Sequence, residues 1–296
     1  MTPLPSYALV TPARNDAENL RRLAESVERQ TVLPAVWLIV DNGSTDDTPA
    51  LAEELARRHP WVRSIWVAPD PGVARGAPIV RAFTAGIEAL GEWPEIVVKL
   101  DADVSFEPDF FARLTGRFAA DPRLGMASGD CYEFDGKRWR VDNGARDHVR
   151  GATRAYRRDC LATVLPLEQR MGWDGIDEVK AGLRGWRTTR FADLPFYHHR
   201  PLGEREGARM QKWIRQGDMH HYMGYRLSYL MLRALYRARR DPLALAIVWG
   251  YLEAVVARRP RCPDREVLAH LRAQQSVRHL PLRMREVFRP SAGTPA

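Results

Sequence analysis

Short apolar runs alternate with amphipathic segments through the first hundred residues, and this alternation constrains the fold more than any other feature. Between the runs, apolar residues recur at helical spacing, for example Leu20, Leu23 and Val27. Strands that alternate with helices pair in parallel through right-handed crossovers. We therefore predict an α/β fold with a mostly parallel, Rossmann-like sheet flanked by helices. The runs are Tyr7–Val10, Val36–Val40, Val62–Val67 and Ile96–Leu100.

A polar cluster follows each apolar run. Because ligands of open α/β sheets bind beyond the carboxyl ends of the strands, we expect these clusters to share one crevice. In the second cluster, the Asp41 carboxylate can accept hydrogen bonds from a pyrimidine imide or a ribose hydroxyl, although a plain turn with a helix cap explains it too. In the first, Asp16 faces the same crevice and Arg14 supplies a phosphate or stacking partner. The clusters read TPARND, DNGSTDD, DPGVARG and DADVS.

The third cluster contains Gly72, Arg75 and Gly76. Glycines let the backbone approach a ligand, and the Arg75 guanidinium can meet a phosphate. A solvated loop with a surface arginine explains the same residues, and the sequence leaves both interpretations open.

Asp101 and Asp103 stand one residue apart where the fourth apolar run ends. Residues i and i+2 of an extended chain share a side, so both carboxylates can reach one hard cation, although acidic pairs are also common in turns. Together with Asp16 and Asp41, and with no basic counterpart among them, they would repel each other and a nucleotide diphosphate. A divalent cation resolves this conflict.

After Asp121 the alternation loosens into predicted strands at Met126–Phe134, Ala152–Arg158 and Arg190–Tyr197, and from Met210 the pattern is mainly helical. We predict two domains, a nucleotide-binding catalytic domain over 1–205 and a helical region over 206–296.

The net charge of +8 lies in the C-terminal third, where residues 200–296 carry 19 Arg and Lys against 8 Asp and Glu. This surplus suits nucleic acid, an anionic membrane surface or an acidic substrate, and the interleaved aromatics suit an interfacial or partner-binding helix as well as a core. No nucleic-acid motif appears there, so we expect no nucleic-acid partner.

The first residues lack a basic segment followed by an apolar one, which predicts no signal peptide. The longest weakly polar run, Leu243–Ala257, is too short to span a bilayer, and the three cysteines are too widely spaced for a disulfide framework. We predict a cytoplasmic protein, associated with the inner face of the membrane, with a homo-oligomer left open.

Three motifs in order carry a family resemblance: VTPARNDAENL, VDNGSTDDT and KLDADVSFEPDFF. Over about residues 6 to 200 the chain resembles the catalytic domains of glycosyltransferase family 2. The resemblance implies a GT-A fold, a nucleotide-diphosphate sugar donor, inverting transfer to a glycan or lipid-linked acceptor, and a Mg²⁺ or Mn²⁺ cofactor.

The resemblance also implies roles for individual residues. Pro12, Arg14, Asp16 and Asp41 match positions that hold the nucleoside, and Asp101 and Asp103 match the metal-binding DxD motif. Arg14 replaces the usual aromatic residue, and Asn42 replaces the second aspartate of the common DDGS form. These departures leave the base of the donor open.

The segment GWDGIDEVKAGLRGWRT resembles the acidic motif of the family, whose carboxylate takes the proton of the attacking hydroxyl. We predict Asp177 as this base, with Asp174 as the rival because its distance from the following Gly-aromatic pair fits better. Glu178 lies beside the acceptor or serves only the first turn of a helix. Trp173 is a candidate platform for a sugar ring.

His198 and His199 follow the last predicted strand, and adjacent residues of a strand point to opposite sides. In GT-A enzymes a histidine after this point often completes the metal site, which implies that role for one of the pair. We predict His199.

Two other functions remain as alternatives. A sugar nucleotidyltransferase has a related fold but needs a Gly-rich loop with Arg and Lys after its first strand, and TPARNDAEN has no such loop. A non-enzymatic, basic membrane- or nucleic-acid-binding protein would explain the C-terminal charge but not the crevice acids.

Overall fold

The computed structural model describes residues 3–69, 76–134, 137–141, 148–199 and 209–276. The chain divides into two compact units, 1–202 and 203–296. Among the described residues, no helix has the length and apolar character needed to cross a bilayer.

The N-terminal unit is built on one mixed sheet, in the order β3-β2-β1-β4-β8-β6-β9-β5, with β7 paired to β6. Strands β1 to β4 are parallel, and β8 then runs antiparallel to β4. The predicted α/β fold class is confirmed. The strands are β1 (Tyr7–Ala13), β2 (Val36–Asp41), β3 (Val62–Trp66), β4 (Ile96–Leu100), β5 (Val104–Phe106), β6 (Leu124–Phe134), β7 (Trp139–Val141), β8 (Thr153–Arg157) and β9 (Arg187–His198).

The described residues of this unit form six helices, and apolar side chains fill both faces of the sheet. In β1, Leu9 joins one hydrophobic cluster and Val10 joins the other. Strands buried on both faces are continuously apolar, which is why the runs are easy to find in the sequence. The helices are α1 (Ala17–Glu28), α2 (Thr48–Arg58), α3 (Ala77–Leu90), α4 (Phe110–Ala120), α5 (Arg158–Val164) and α6 (Trp173–Leu183).

The C-terminal unit is helical. Helices α7 and α9 cross at Gly217 and Gly250, where an added Cβ would collide with backbone of the facing helix. A small core of Leu230, Ile247 and Tyr251 completes the packing. The helices are α7 (Arg209–Tyr222), α8 (Leu227–Ala238), α9 (Ala246–Val256) and α10 (Arg265–Gln274), with a 3₁₀ turn at Pro242–Leu245.

Candidate active site

The first two crevice loops are tied together beyond β1 and β2. Asn15, which has a positive φ of 52°, accepts a hydrogen bond from the Thr45 amide at 2.8 Å, and its own amide donates to Ser44 Oγ at 2.9 Å. Asparagine is among the few residues that adopt this backbone conformation readily. Asn15 therefore fixes one loop against the other.

This tie positions two of the predicted nucleoside residues. Asp16 and Asp41 are both nearly buried, and the Asp41 carboxylate accepts from the Ser44 amide at 3.1 Å. Arg14 is exposed, and Pro12 lies in β1 opposite Val40 of β2. Arg75 and Gly72 lie outside the described residues.

The two aspartates of the DAD motif meet different partners. The Asp101 carboxylate forms an ion pair with Nζ of Lys99, whose side chain is almost fully buried. The same Nζ donates to the Gly151 carbonyl oxygen at 2.9 Å. The expectation that the crevice acids have no basic counterpart is therefore wrong. Lys99 lies inside a run counted as apolar, and it faces Asp101 because residues i and i+2 of a strand share a side.

The two adjacent histidines at the end of β9 point to different neighbours. Nε2 of His198 lies 3.3 Å from Oδ1 of Asp103, and its Nδ1 lies 3.8 Å from Oε1 of Glu133. Nε2 of His199 lies 2.7 Å from Ser105 Oγ instead. The sequence assigned the metal role to His199, but the alternation of side chains along β9 puts His198 beside Asp103.

Several ionisable side chains surround His198. Burial lowers the pKa of His198, but the nearby carboxylates of Asp103 and Glu133 outweigh it and raise the pKa to about 10. Cys131 also belongs to this group, since ligand atoms of Cys131, Glu133 and His198 lie within 4.8 Å of one another. The end of β9 is thus surrounded by groups able to bind a metal ion.

Asp177, the predicted base, is buried in helix α6. Its carboxylate accepts hydrogen bonds from Arg154 Nη2 at 2.7 Å, Arg154 Nε at 3.1 Å and the Tyr156 hydroxyl at 2.6 Å. Burial raises the pKa of Asp177 to about 6 against the opposing effect of Arg154 and Tyr156. With 1% of its side chain exposed, this carboxylate ties α6 to β8 and has no access for a substrate hydroxyl.

Asp174, the rival, is in a different environment. Its side chain is 35% exposed, and its Oδ2 lies 3.3 Å from Nε2 of His148. Nδ1 of His148 in turn lies 2.7 Å from Oε2 of Glu178. Burial raises the pKa of Asp174, but His148 and the charge of Arg154 outweigh it and hold the pKa at about 2. Asp174 is therefore an ionised, accessible carboxylate.

A cavity of about 240 Å³ brings several of these groups together. Asp101, Asp174, His198 and Trp173 all border it, so the DAD motif and the acidic helix meet at one space. Trp173 itself is largely buried, with the Lys99 and Arg154 cations 5.9 and 5.6 Å from its ring centre. The remaining lining residues are Ile79, Lys99, Cys131, His148, Arg150, Gly151, Ala152 and Phe196.

Several of these residues escaped the sequence interpretation. For Arg154 and Tyr156 the sequence holds a clue, because residues two apart in a strand lie on the same face. Both side chains donate to the Asp177 carboxylate. His148 carries none, since nothing in its local sequence relates it to a helix 26 residues further along. Contacts of this kind appear only once the fold is known.

Comparison with known proteins gives the fold a context. The Mannosyltransferase PcManGT from Pyrobaculum calidifontis, in complex with GDP-Man and Mn²⁺, superposes with a TM-score of 0.57 at 18% identity, covering 97% of this chain and 85% of that one. S. aureus TarS 1–349, in complex with UDP-GlcNAc, superposes with a TM-score of 0.55 at 16% identity, covering 73% and 65%.

Alignments with relatives found by sequence cover smaller parts of the chain. Succinoglycan biosynthesis protein ExoA of Rhizobium meliloti (strain 1021) is 25% identical over 209 residues, 62% of this chain and 61% of ExoA. Chondroitin synthase of Pasteurella multocida (strain Pm70) is 29% identical over 121 residues, 41% of this chain. That alignment spans only 12% of the chondroitin synthase.

The family model described as Glycosyl transferase family 2 matches residues 8–167, which is more than half of the chain. The matched stretch contains the two tied loops and the DAD motif, so the resemblance read from three motifs is confirmed. This protein belongs to glycosyl transferase family 2.

Proposed function

We propose that this protein is an inverting glycosyltransferase, which moves a sugar from a nucleotide-diphosphate sugar to the hydroxyl of a glycan or lipid-linked acceptor. The observation that carries the proposal is the cavity bordered by Asp101, Asp174 and His198. Transfer requires a site for the donor diphosphate and a base beside the same space. The relationship to ExoA supports a role in surface polysaccharide or glycolipid synthesis.

Asp101, Asp103 and His198 are the residues that would hold a divalent cation, Mg²⁺ or Mn²⁺. The donor set fits, because carboxylate oxygens suit both ions, and His198, which lies 3.3 Å from Asp103, becomes a ligand once it gives up its proton. The Mn²⁺ and GDP-Man in the PcManGT structure are consistent with this assignment. Such an ion supplies positive charge that offsets the charge developing on a departing diphosphate.

Asp174, in place of Asp177, serves as the general base. Its accessible carboxylate accepts the proton of the acceptor hydroxyl as the acceptor oxygen bonds to the anomeric carbon. The bond from that carbon to the diphosphate oxygen breaks at the same time, and attack from the opposite side inverts the configuration. His148 and Glu178 orient the base, and Trp173 contributes an aromatic edge to the sugar site.

The tied loops hold the nucleoside through Pro12, Arg14, Asp16 and Asp41. The carboxylates accept hydrogen bonds from the base or ribose, and the exposed Arg14 guanidinium meets the base or a phosphate. Lys99 adds a buried positive charge next to Asp101. This charge offsets that of Asp101, so less negative charge faces a donor diphosphate.

The C-terminal unit gives the protein a peripheral contact with an anionic membrane at the cytoplasmic face. Trp249, Leu252 and Val256 recur on one face of α9 and are all exposed. Exposed arginines lie on the same unit, among them Arg239 and Arg258. Apolar side chains flanked by arginines are typical of interfacial helices.

Two measurements test the proposed function. Thermal unfolding with each nucleoside diphosphate, with and without Mn²⁺, identifies the donor, because a ligand at 100 times its Kd stabilises the folded state by about 2.7 kcal/mol. We expect the nucleoside diphosphate of one nucleobase to raise the unfolding temperature, and only when Mn²⁺ is present. A panel without any response would contradict nucleotide-sugar binding.

Donor turnover in Asp103→Asn tests the metal assignment. We expect a loss of more than about 100-fold, because removing even an outer-shell partner of a metal costs 10–100-fold. Asp159→Asn, at an aspartate exposed on α5, is the matched control and should leave turnover unchanged. Undiminished turnover in Asp103→Asn would overturn the assignment.

A further inference from the structure

A second concave site lies elsewhere on the N-terminal unit. It is a groove of about 530 Å³ and shares no lining residue with the cavity at Asp101 and Asp174. We refer to it as the aromatic groove, defined by Arg29, Ser105, Glu107, Trp139, Tyr197 and His199.

Three rings form one side of the groove. The Trp139 ring stands 5.0 Å from Tyr197 and 5.3 Å from His199, at interplanar angles of 67° and 86°. Phe134 extends the cluster, with its ring 5.5 Å from Trp139. Trp139 and Phe134 remain 36% and 47% exposed. Grouped aromatic rings left in water at a concave surface mark a place where a ligand covers them.

Polar groups lie among these rings. The Ser105 hydroxyl is hydrogen-bonded to His199 Nε2 at 2.7 Å, and Glu107 and Arg29 border the groove with exposed side chains. The face of an aromatic ring carries negative charge density that attracts polarised C–H groups, while carboxylate and guanidinium groups bind hydroxyls. A saccharide presents both kinds of surface at once.

The position of the groove relates it to the reaction site. His198 is the last residue of β9 and His199 follows it directly, and their side chains meet different neighbours. His198 contacts Asp103, whereas His199 borders the groove. A ligand in the groove is therefore held by the same strand that contributes to the proposed metal site, without occupying the reaction cavity.

We propose that the aromatic groove binds a saccharide chain as a secondary glycan site. The ligand class rests on the proposed function, since an enzyme that extends a glycan gains from holding the product near its active site. The surface chemistry supports a saccharide over a proline-rich peptide, because Glu107 and Arg29 suit hydroxyl groups while such peptides dock mainly on aromatic ridges.

Affinity electrophoresis tests the proposal in native gels that contain a soluble polysaccharide and no sugar donor. The probes are a neutral β-glucan, a mannan and the anionic polymer hyaluronan. We expect at least one of them to retard the wild-type chain, and Trp139→Ala to weaken that retardation at least tenfold. Trp139→Phe, which keeps a ring, should retain most of it.

Two controls separate binding in the groove from binding at the C-terminal unit or in the reaction cavity. Trp249→Ala removes an exposed tryptophan from the C-terminal unit and should leave the retardation unchanged. Asp103→Asn should still be retarded even though it is inactive, so failure of the transferase proposal and failure of this one are distinguishable. Thermal unfolding of each variant confirms that it is folded.

Three results would overturn the proposal. They are an absence of retardation by every probe, equal retardation of the wild type and Trp139→Ala, and retardation lost in Asp174→Asn but kept in Trp139→Ala, which would assign saccharide binding to the reaction cavity. Binding of a proline-rich peptide in place of all three polysaccharides, sensitive to Trp139→Ala, would identify the groove as a peptide site.

Discussion

Asp174 and Asp177 lie three residues apart on helix α6, yet their surroundings give the two carboxylates opposite properties. Asp177 accepts hydrogen bonds from Arg154 and Tyr156 in the interior, and Asp174 borders the cavity beside His148. A buried carboxylate with satisfied hydrogen bonds is a structural group. The proposed general base and the structural carboxylate are thus different residues of one short motif.

Paired substitutions separate the two roles. Asp174→Asn should lower transfer by about 10²–10⁴-fold, the usual contribution of a general base, and it should cost less unfolding free energy than Asp177→Asn, because it weakens only a part-exposed pair with His148. Asp177→Asn should destabilise the fold by about 3–5 kcal/mol, because it removes the charge that accepts two hydrogen bonds from the buried Arg154 and leaves only the more distant Glu178 carboxylate beside it. Transfer kinetics and urea unfolding measure the two effects. An active Asp174→Asn enzyme would contradict the assignment of the base.

His148 makes stability depend on pH. Burial lowers the pKa of His148, but Asp174 and Glu178 raise it to about 9. Because the folded state holds this proton more tightly than the unfolded chain, the stabilisation is complete below pH 6.5 and disappears as the pH rises through 9.

We expect wild type to lose about 2–3 kcal/mol more unfolding free energy than His148→Gln between pH 6 and pH 10. Denaturant unfolding at both pH values measures the difference. Equal losses in the two proteins would show that another group is responsible.

Part of the site can be predicted from residue types and spacing. The DAD motif, Asp16 and Asp41 follow buried strands, so their location depends only on local pattern. The choices between Asp174 and Asp177, and between His198 and His199, depend on which side chain faces which neighbour. That information comes from β8 and β9, whose partners are distant in sequence.

At the level of elements, helix α3 packs on β1 and β2 through Gly86. A Cβ at Gly86 would overlap a methyl of Val10 and lie 3.0 Å from one of Val40. Gly182, in α6, has open space around its Cβ position and is exposed. The two helical glycines therefore make a matched pair.

Gly86→Ala should destabilise the fold by about 1–3 kcal/mol, because the core has no room for the methyl group. Gly182→Ala should stabilise it by about 0.5–1 kcal/mol through the loss of chain entropy in the unfolded state. Urea unfolding of both variants provides the test. A stabilising Gly86→Ala would mean that α3 can move away from the sheet.

The long elements were predictable and the short ones were not. The four runs of the parallel strands match β1 to β4, since burial on both faces leaves a strong apolar signal. Strands β5 and β7 have three residues each, too few for a periodic pattern. Strand β5 pairs with β9 across a long sequence separation, whereas β7 pairs with the nearby end of β6, and both short strands border the aromatic groove.

At the scale of the whole molecule, the proposed membrane contact can be tested through exposed residues of the C-terminal unit. We expect the intact protein to co-sediment with phosphatidylglycerol vesicles but only weakly with phosphatidylcholine vesicles, and to dissociate at high salt. A double change, Trp249→Ser with Val256→Ser, should reduce binding at least tenfold, because it removes two exposed apolar side chains from α9.

Leu33→Ser is the control, since Leu33 is an exposed leucine of the N-terminal unit. It should bind vesicles as wild type does. Equal binding of the double variant and wild type would exclude α9 as the contact.

The alternation of side chains along β9 limits how the protein can be altered. His198 faces Asp103 and His199 faces the groove because the end of β9, residues 195–198, holds one register with β5 and β6. Inserting or deleting a single residue within this stretch would exchange the two histidines and disturb both proposed sites together. Variants that change either site must therefore preserve the length of residues 195–198, where substitutions can still tune the two sites separately.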